Sequence, residues 1–398
     1  MHKASQTKNI RYCTETRTPT SGRSVGGAFN VWGYVLVALV ALLLPSCRFG
    51  SSPQPNKIGV VLALTGRGAT YGQRALNGMQ LGVDKLNTEE PFKSSPIQLV
   101  VEDSRSTATQ ALSGFRKLID VNGVQVAIGF VLSDEVLTCA PTANERRVVL
   151  LTTAAGSDQI ADAGDYIFRN RESARSQAEA LAETSIKRLH LTDVATLHST
   201  SANGLSYAND FSAAMENRGG HVTVSEPFAE GKTDYRSEIE RLRTKKPKAV
   251  YLAGLDQELG LILRQAQEVG FTTQFLASPG AISQKLLDIA GLAAEGLISA
   301  SATFDPESAD GSVKSFVESY TAKYGTAPDF IAANSYDAVY LIASPFRQGL
   351  TAGEQIKKAL YSVKNFPGVG GTMTFDSRGE VSKPISVVRV TNGKFKPY

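Results

Sequence analysis

The chain of 398 residues carries 42 Lys plus Arg against 38 Asp plus Glu, and a formal charge of +4 gives no ground for a nucleic-acid partner. The whole surplus lies in residues 1–46, which hold five basic residues and one acidic; the remainder balances at 37 against 37. Some 350 residues beyond that segment exceed what a single core usually serves, so two compact units are expected.

The first element in chain order is an export signal. Lys3, Lys8, Arg11, Arg17 and Arg23 precede the apolar run Val35–Leu44, which at ten residues has the length of a signal-peptide core. A span of about 20 apolar residues is what a bilayer requires, so an uncleaved signal anchor is the alternative. The run ends in "LPSC", residues 44–47, which resembles the bacterial lipobox. That resemblance implies cleavage after residue 46 and a diacylglyceryl thioether on Cys47, placing the protein in the bacterial cell envelope, facing the periplasm or the exterior. Residues 47–56 are polar and rich in Ser and Pro, a composition suited to a tether. With Cys13 in the signal and Cys47 carrying lipid, Cys139 has no partner, so the mature chain has no intrachain disulfide and Cys139 reads as a small buried residue.

From Ile58 onward short apolar, β-branched runs alternate with segments of helical period. "IGVVLAL" (58–64), "IQLVVED" (97–103), "VQVAIG" (124–129), "VVLLTT" (148–153), "VATLH" (194–198), "AVYLAG" (249–254) and "QFLAS" (274–278) read as strands buried on both faces. Between the first two, Leu76, Met79, Val83 and Leu86 fall on one helical face. Further helices are expected within 108–120, 204–220, 257–270, 311–325 and 335–346. Strand–helix–strand repetition specifies α/β architecture with parallel sheets covered by helices. The segment 368–398 reads instead as short antiparallel strands joined by Asp-Ser-Arg-Gly and Asn-Gly turns.

The sequence offers catalysis no foothold, and no cofactor or metal is expected. His2, His190, His198 and His221 are scattered without metal-ligand spacing, and neither HExxH nor CxxC occurs. His198 closes an apolar run and reads as a strand-end residue. "TGRGATYG" places Gly66 and Gly68 after a strand, but the third glycine position of a dinucleotide fingerprint is Tyr71. No GxSxG surrounds a serine.

The motifs taken together are similar to something known. "IGVVLALTGRGATYGQRALNGMQLGVDKLN", followed in order by "VAIGFVLSDEV", "VVLLTTAAGS", "AVYLAGLDQELGLILRQAQEVGF", "IAGLAAEGLIS" and "SYDAVYLIA", resembles the periplasmic leucine/isoleucine/valine-binding protein family over nearly all of Lys57–Tyr398. The resemblance implies a two-lobed type I periplasmic binding protein with a three-strand hinge. One lobe would hold 57–172 and 303–365, the other 173–302 and 366–398, with crossings near Asn170, Ser301 and Pro367. It implies a small-molecule ligand in the cleft, ABC permease subunits as partners, and the membrane reached through lipid on Cys47.

Carried over by position, the resemblance makes Tyr71, Ser133, Ala154 and Gly156 ligand contacts, with backbone groups and hydroxyls taking an α-carboxylate without help from lysine or arginine. Tyr71 has the alternative of simple packing against its own helix. Several positions depart from the family pattern: Asn203 and Leu255 stand where it has tyrosines, Pro279 where it has the glutamate that binds an ammonium, and Gly156 where it has a threonine, leaving Ser157 as the nearest hydroxyl. A buried ammonium without counter-charge would cost several kcal/mol, so either another acid serves or the ligand has no ammonium. Asp134 and Asp256 are the candidate acids, each with the alternative role of helix N-cap. The expected function is lipid-anchored solute binding for an ABC importer of neutral or branched-chain amino acids, or of a related small carboxylate or amide. A ligand-sensing module for a signalling receptor is the alternative.

Overall fold

A computed structural model describes residues 56–302 and 304–398; the expected signal, Cys47 and nearly all of the tether lie outside the described residues. The chain first forms β1 (Asn56–Leu62), α1 (Ala69–Leu86), β2 (Ile97–Asp103), α2 (Ala108–Asp120), β3 (Val126–Gly129), α3 (Ser133–Arg146), β4 (Val149–Thr152) and β5 (Ile167–Arg169). It continues as α4 (Ala174–Lys187), β6 (Asp193–Ser199), α5 (Ala202–Glu216), β7 (His221–Phe228), α6 (Arg236–Lys245), β8 (Ala249–Ala253), α7 (Asp256–Glu268), β9 (Gln274–Ala277), α8 (Gln284–Ala290) and β10 (Ile298–Ala302). The last elements are α9 (Gly311–Tyr324), α10 (Phe330–Arg347), α11 (Gly353–Tyr361), β11 (Ile385–Thr391) and β12 (Lys394–Pro397).

These strands make two sheets. The first has order β2-β1-β3-β4-β5 and is parallel throughout; the second has order β12-β11-β10-β9-β8-β6-β7 and is parallel except where β11 and β12 join it. Taken from β6 to β10, the second sheet repeats the order of the first. In both, the first strand feeds a helix to one edge and the third strand starts on its other side, which opens a crevice at the carboxyl ends of β1 and β3, and of β6 and β8.

Strand periodicity sorts the core. Ile58, Val60 and Leu62 of β1, Val126 and Ile128 of β3, and Val149 and Leu151 of β4 face a cluster containing Met79, Val83, Leu341 and Ile342 of α1 and α10. Val61, Ala127, Leu150 and Ile167 face the other cluster, with Phe115, Leu118, Val136 and Cys139 of α2 and α3. The second sheet divides likewise, Leu197, Val250 and Leu252 toward Ile239, Leu259 and Ile262 of α6 and α7, and Val194, Tyr251 and Ile298 toward Leu181, Phe211 and Met215 of α4 and α5. Cys139 is buried and unpaired, and His198 is the next-to-last residue of β6, with its ring against Ser225 Oγ.

One boundary differs from the sequence reading. Met373, Phe375 and Val381 pack in the core of the first sheet, and Arg169 N–H donates to Gly379 O alongside β5. The chain therefore stays with the first sheet well past Pro367 and joins the second only at Ile385. The antiparallel turns read from sequence are present: Phe375 bridges Val381 around Asp376–Gly379, and Asn392-Gly393 joins β11 to β12.

Candidate functional site

The loops leaving the two crevices face one another and wall a narrow, nearly closed cavity of about 30 Å³. From the first sheet come Arg67 and Tyr71 after β1, Val131, Leu132, Ser133 and Asp134 after β3, Ala154 after β4 and Arg171 after β5; Phe330 opens α10. From the second come Ser201, Asn203 and Tyr207 after β6, Leu255 after β8 and Gly280 after β9.

Several polar groups in the wall have definite partners. The Tyr71 hydroxyl donates to Gly280 O at 3.0 Å and accepts from Asp256 N–H at 3.2 Å. Burial, with the Asp256 charge adding to it, raises this phenol well above its ordinary pKa, so it acts as a neutral hydrogen-bonding group. Asp134 Oδ1 accepts from Ala202 N–H, at the start of α5, at 3.3 Å. Ser133 Oγ accepts from Ser157 N–H at 3.2 Å and lies 3.5 Å from Asn203 Oδ1. Arg67 Nη2 pairs with Glu230 Oε1 at 2.7 Å. Tyr71, Asp134, Ser133 and Arg67 all reach from first-sheet elements to second-sheet elements, so the cavity is closed by direct contacts.

The helix entries explain how these groups are held. Leu132 and Leu255 are the N-cap residues of α3 and α7, and neither side chain can accept a hydrogen bond. The third residue of each helix compensates: Glu135 Oε2 accepts from Leu132 N–H and Glu258 Oε2 from Leu255 N–H, the return half of a capping box. Asp134 and Asp256 lie two and one residues past their N-caps rather than at the cap positions that were their alternative role. Burial raises the Asp256 carboxyl, which accepts from Gln257 N–H and Ser283 Oγ.

Of the residues expected at the ligand, the structure brings Tyr71, Ser133, Asp134, Ala154, Asn203 and Leu255 to the cavity wall and leaves Gly156, Ser157, Asp256 and Pro279 out of it. Gly156 packs where an added Cβ would come within 2.9 Å of both Asn203 Oδ1 and Tyr207 Oη. Ser157 Oγ bonds Ser206 Oγ at 2.7 Å, away from the cavity. Asp256 turns to its own helix and to Ser283, and at the Pro279 turn the wall is made by Gly280. Ala154 lines the cavity, but its carbonyl is taken by Arg171.

Two arginines that the sequence reading did not name, Arg67 and Arg171, also line the wall. Arg67 stands within the quoted "TGRGATYG" and its loop position was legible; Arg171, Tyr207 and Phe330 carry no local motif and arrive through the crossing after β5 and the faces of α5 and α10. Among the described residues no three His, Cys, Asp or Glu side chains converge as metal ligands do. The wall is thus apolar over much of its area, with two guanidinium groups, one carboxylate and a few amide and hydroxyl groups, the make-up of a pocket for a small polar solute.

A profile of the periplasmic binding protein family matches residues 55–394. The chain belongs to this family. Among its relatives, the Leu/Ile/Val-binding protein homolog 3 of Brucella melitensis is 26% identical over 345 residues, covering 85% of this chain and 92% of the relative. The crystal structure of a leucine-binding protein from Thermotoga maritima superposes with a TM-score of 0.81 at 29% identity, over 86% of this chain and 97% of that one. A solute-binding protein of an ABC transporter from Rhodopseudomonas palustris, in complex with 3,4-dihydroxybenzoic acid, shares the fold with a TM-score of 0.78 at 22% identity, over 85% and 94% of the two chains. The periplasmic binding protein described here is accordingly an exported, solute-binding member of a two-sheet α/β fold.

Proposed function

We propose that this periplasmic binding protein is the lipid-anchored receptor of an ABC importer, taking a small polar solute: a neutral or branched-chain amino acid, or a related small carboxylate or amide. The observation that supports this reading is the cavity itself, walled from both sheets at their crevices and bridged by the Tyr71 hydroxyl. Two lobes, one per sheet, open to admit the solute, close over it, and present the closed form to permease subunits. Export and anchoring rest on the basic start, the apolar run and the lipobox at Cys47.

Asp134 is the single acid on the wall, so an amino-acid ligand sets its ammonium there. A thermal-shift screen of purified residues 48–398 with amino acids, amine-free acids and amides tests the reading. A ligand at a hundredfold excess over Kd adds about 2.7 kcal/mol to folding stability, a shift of several degrees. If an amino acid stabilises the protein, Asp134→Asn should weaken its binding at least tenfold; if amine-free acids alone bind, the substitution should matter little. A screen in which no small acid, amino acid or amide moves the unfolding temperature would refute the assignment.

A further inference from the structure

Three arginines stand in or beside the cavity, and two are neutralised. Arg67 pairs with Glu230, and Arg169, fully buried, bonds the Glu380 carboxylate. Arg171 is 4% exposed and differs. Its Nε donates to Glu172 O at 2.9 Å, Nη1 to Ala154 O at 2.8 Å, and Nη2 to Gln177 Oε1 at 2.8 Å and Tyr207 Oη at 2.9 Å. All four acceptors are neutral, one Nη1 hydrogen is left over, and no carboxylate of the described residues comes within the 4.0 Å of an ion pair. The neighbouring Glu172 is buried, but its carboxylate oxygens accept no hydrogen bond, from Arg171 or from any other group. A guanidinium held in place by neutral acceptors on a cavity wall, with Phe330 5.8 Å from its centre, is a cation without an ion-pair partner among the described residues.

We propose that Arg171 is the seat of the ligand's anionic group, and that the solute is a small acid read carboxylate-first by this guanidinium. The inference deepens the importer reading and rests on it. It moves the anion away from the 154–157 loop, where Ser133 Oγ is already engaged by Ser157 N–H and the Ala154 carbonyl by Arg171 itself. An anion at Arg171 gains a charge-assisted hydrogen bond that a neutral isostere does not.

Isothermal titration of residues 48–398 with three acid–amide pairs tests this: leucine and leucinamide, 4-methylpentanoate and 4-methylpentanamide, benzoate and benzamide. We expect at least one acid to bind at least thirtyfold more tightly than its amide, and Arg171→Gln to abolish that preference. Should Arg171→Gln fail to fold, wild-type protein still decides the matter through the Arg171 Nε–Hε NMR resonance, assigned by its absence from Arg171→Lys. That resonance should move when the bound acid is added and stay in place with the amide. An amide that binds as well as its acid, a preference that survives Arg171→Gln, or a resonance unmoved by a bound acid overturns the inference and leaves the importer reading standing. Failure of all six probes to bind at millimolar concentration overturns both.

Discussion

The Tyr71 phenol joins the two sides of the cavity through one donated and one accepted hydrogen bond, both to backbone groups. Each is worth about 1 kcal/mol net, and both are lost when the loops separate. Tyr71→Phe should therefore weaken solute binding by up to about thirtyfold in titration calorimetry, the equivalent of about 2 kcal/mol, with an unchanged affinity showing that the bridge has no share in closure. Glu135 makes a different residue-scale prediction. Burial pushes its carboxyl from 4.5 to about 7, against hydrogen bonds from Ser104 and Leu132 N–H that act to lower it. A carboxyl raised on folding binds its proton more tightly in the native state, so its contribution is complete below about pH 4.5 and is lost as pH rises through about 7. Asp337, buried and raised to about 6, acts in the same direction. Urea unfolding should show stability falling between pH 5 and 7 by up to about 3 kcal/mol on account of Glu135. The slope should be shallower in Glu135→Gln; parallel curves for the two proteins would remove Glu135 as the cause.

At the scale of elements, the packing of α1 on α10 fixes the floor beneath Tyr71 and Phe330. Gly78 makes that approach possible, because a Cβ there would lie 2.1 Å from Ala332 O, a backbone atom that cannot swing aside. Gly78→Ala should gain a little helix propensity and still lose about 1–3 kcal/mol overall, since the two helices must move apart. A denaturant midpoint at or above the wild-type value would show that the helices separate without cost. The elements themselves were legible to different degrees. β2 and α2 appear at the residues read from sequence, because each is an unbroken apolar or amphipathic run with clear ends. The strand list read from sequence omits β5, β7 and β10: β5 has three residues, and β7 is an edge strand with alternate residues exposed, so neither carries the continuous apolar run of a central strand. Helix α6, "RSEIERLRTK", escaped notice because Ile239 and Leu242 are the only apolar residues it buries.

At the scale of the whole molecule, the excess positive charge belongs to residues 1–46, and the remainder is balanced. On the lipid-anchored reading proposed above, membrane association comes from lipid rather than from a net positive charge. Cys47→Ser should abolish labelling by a radioactive fatty acid and leave the precursor uncleaved, whereas a signal anchor would be indifferent to the change. One acyl chain gives only marginal, reversible binding, on the order of 10⁴ per molar, so the diacylglyceryl group implied by the lipobox is the least that would hold the protein. Mass spectrometry finding residues 1–46 on the mature chain would exclude lipidation at Cys47.

The run of buried β-branched strands and amphipathic helices determined, by itself, that the chain forms parallel sheets covered by helices, because that periodicity has few other packings. Loops at the carboxyl ends of such strands converge on a cleft, and the residues that the family resemblance, rather than periodicity, named there include Tyr71, Ser133 and Asp134, all on the cavity wall. Which groups on those loops remain available was decided only in three dimensions. Ser157 and Asp256 are polar, close in sequence to the site, and wholly engaged by Ser206 and Ser283, partners 49 and 27 residues away. Arg171 follows a three-residue strand and carries no motif, yet its guanidinium reaches the wall, because Ala154, Gln177 and Tyr207 meet around it from three separate elements. Local pattern reports which face of an element is apolar; whether a polar group is satisfied depends on distant partners, and those are assembled only by the fold.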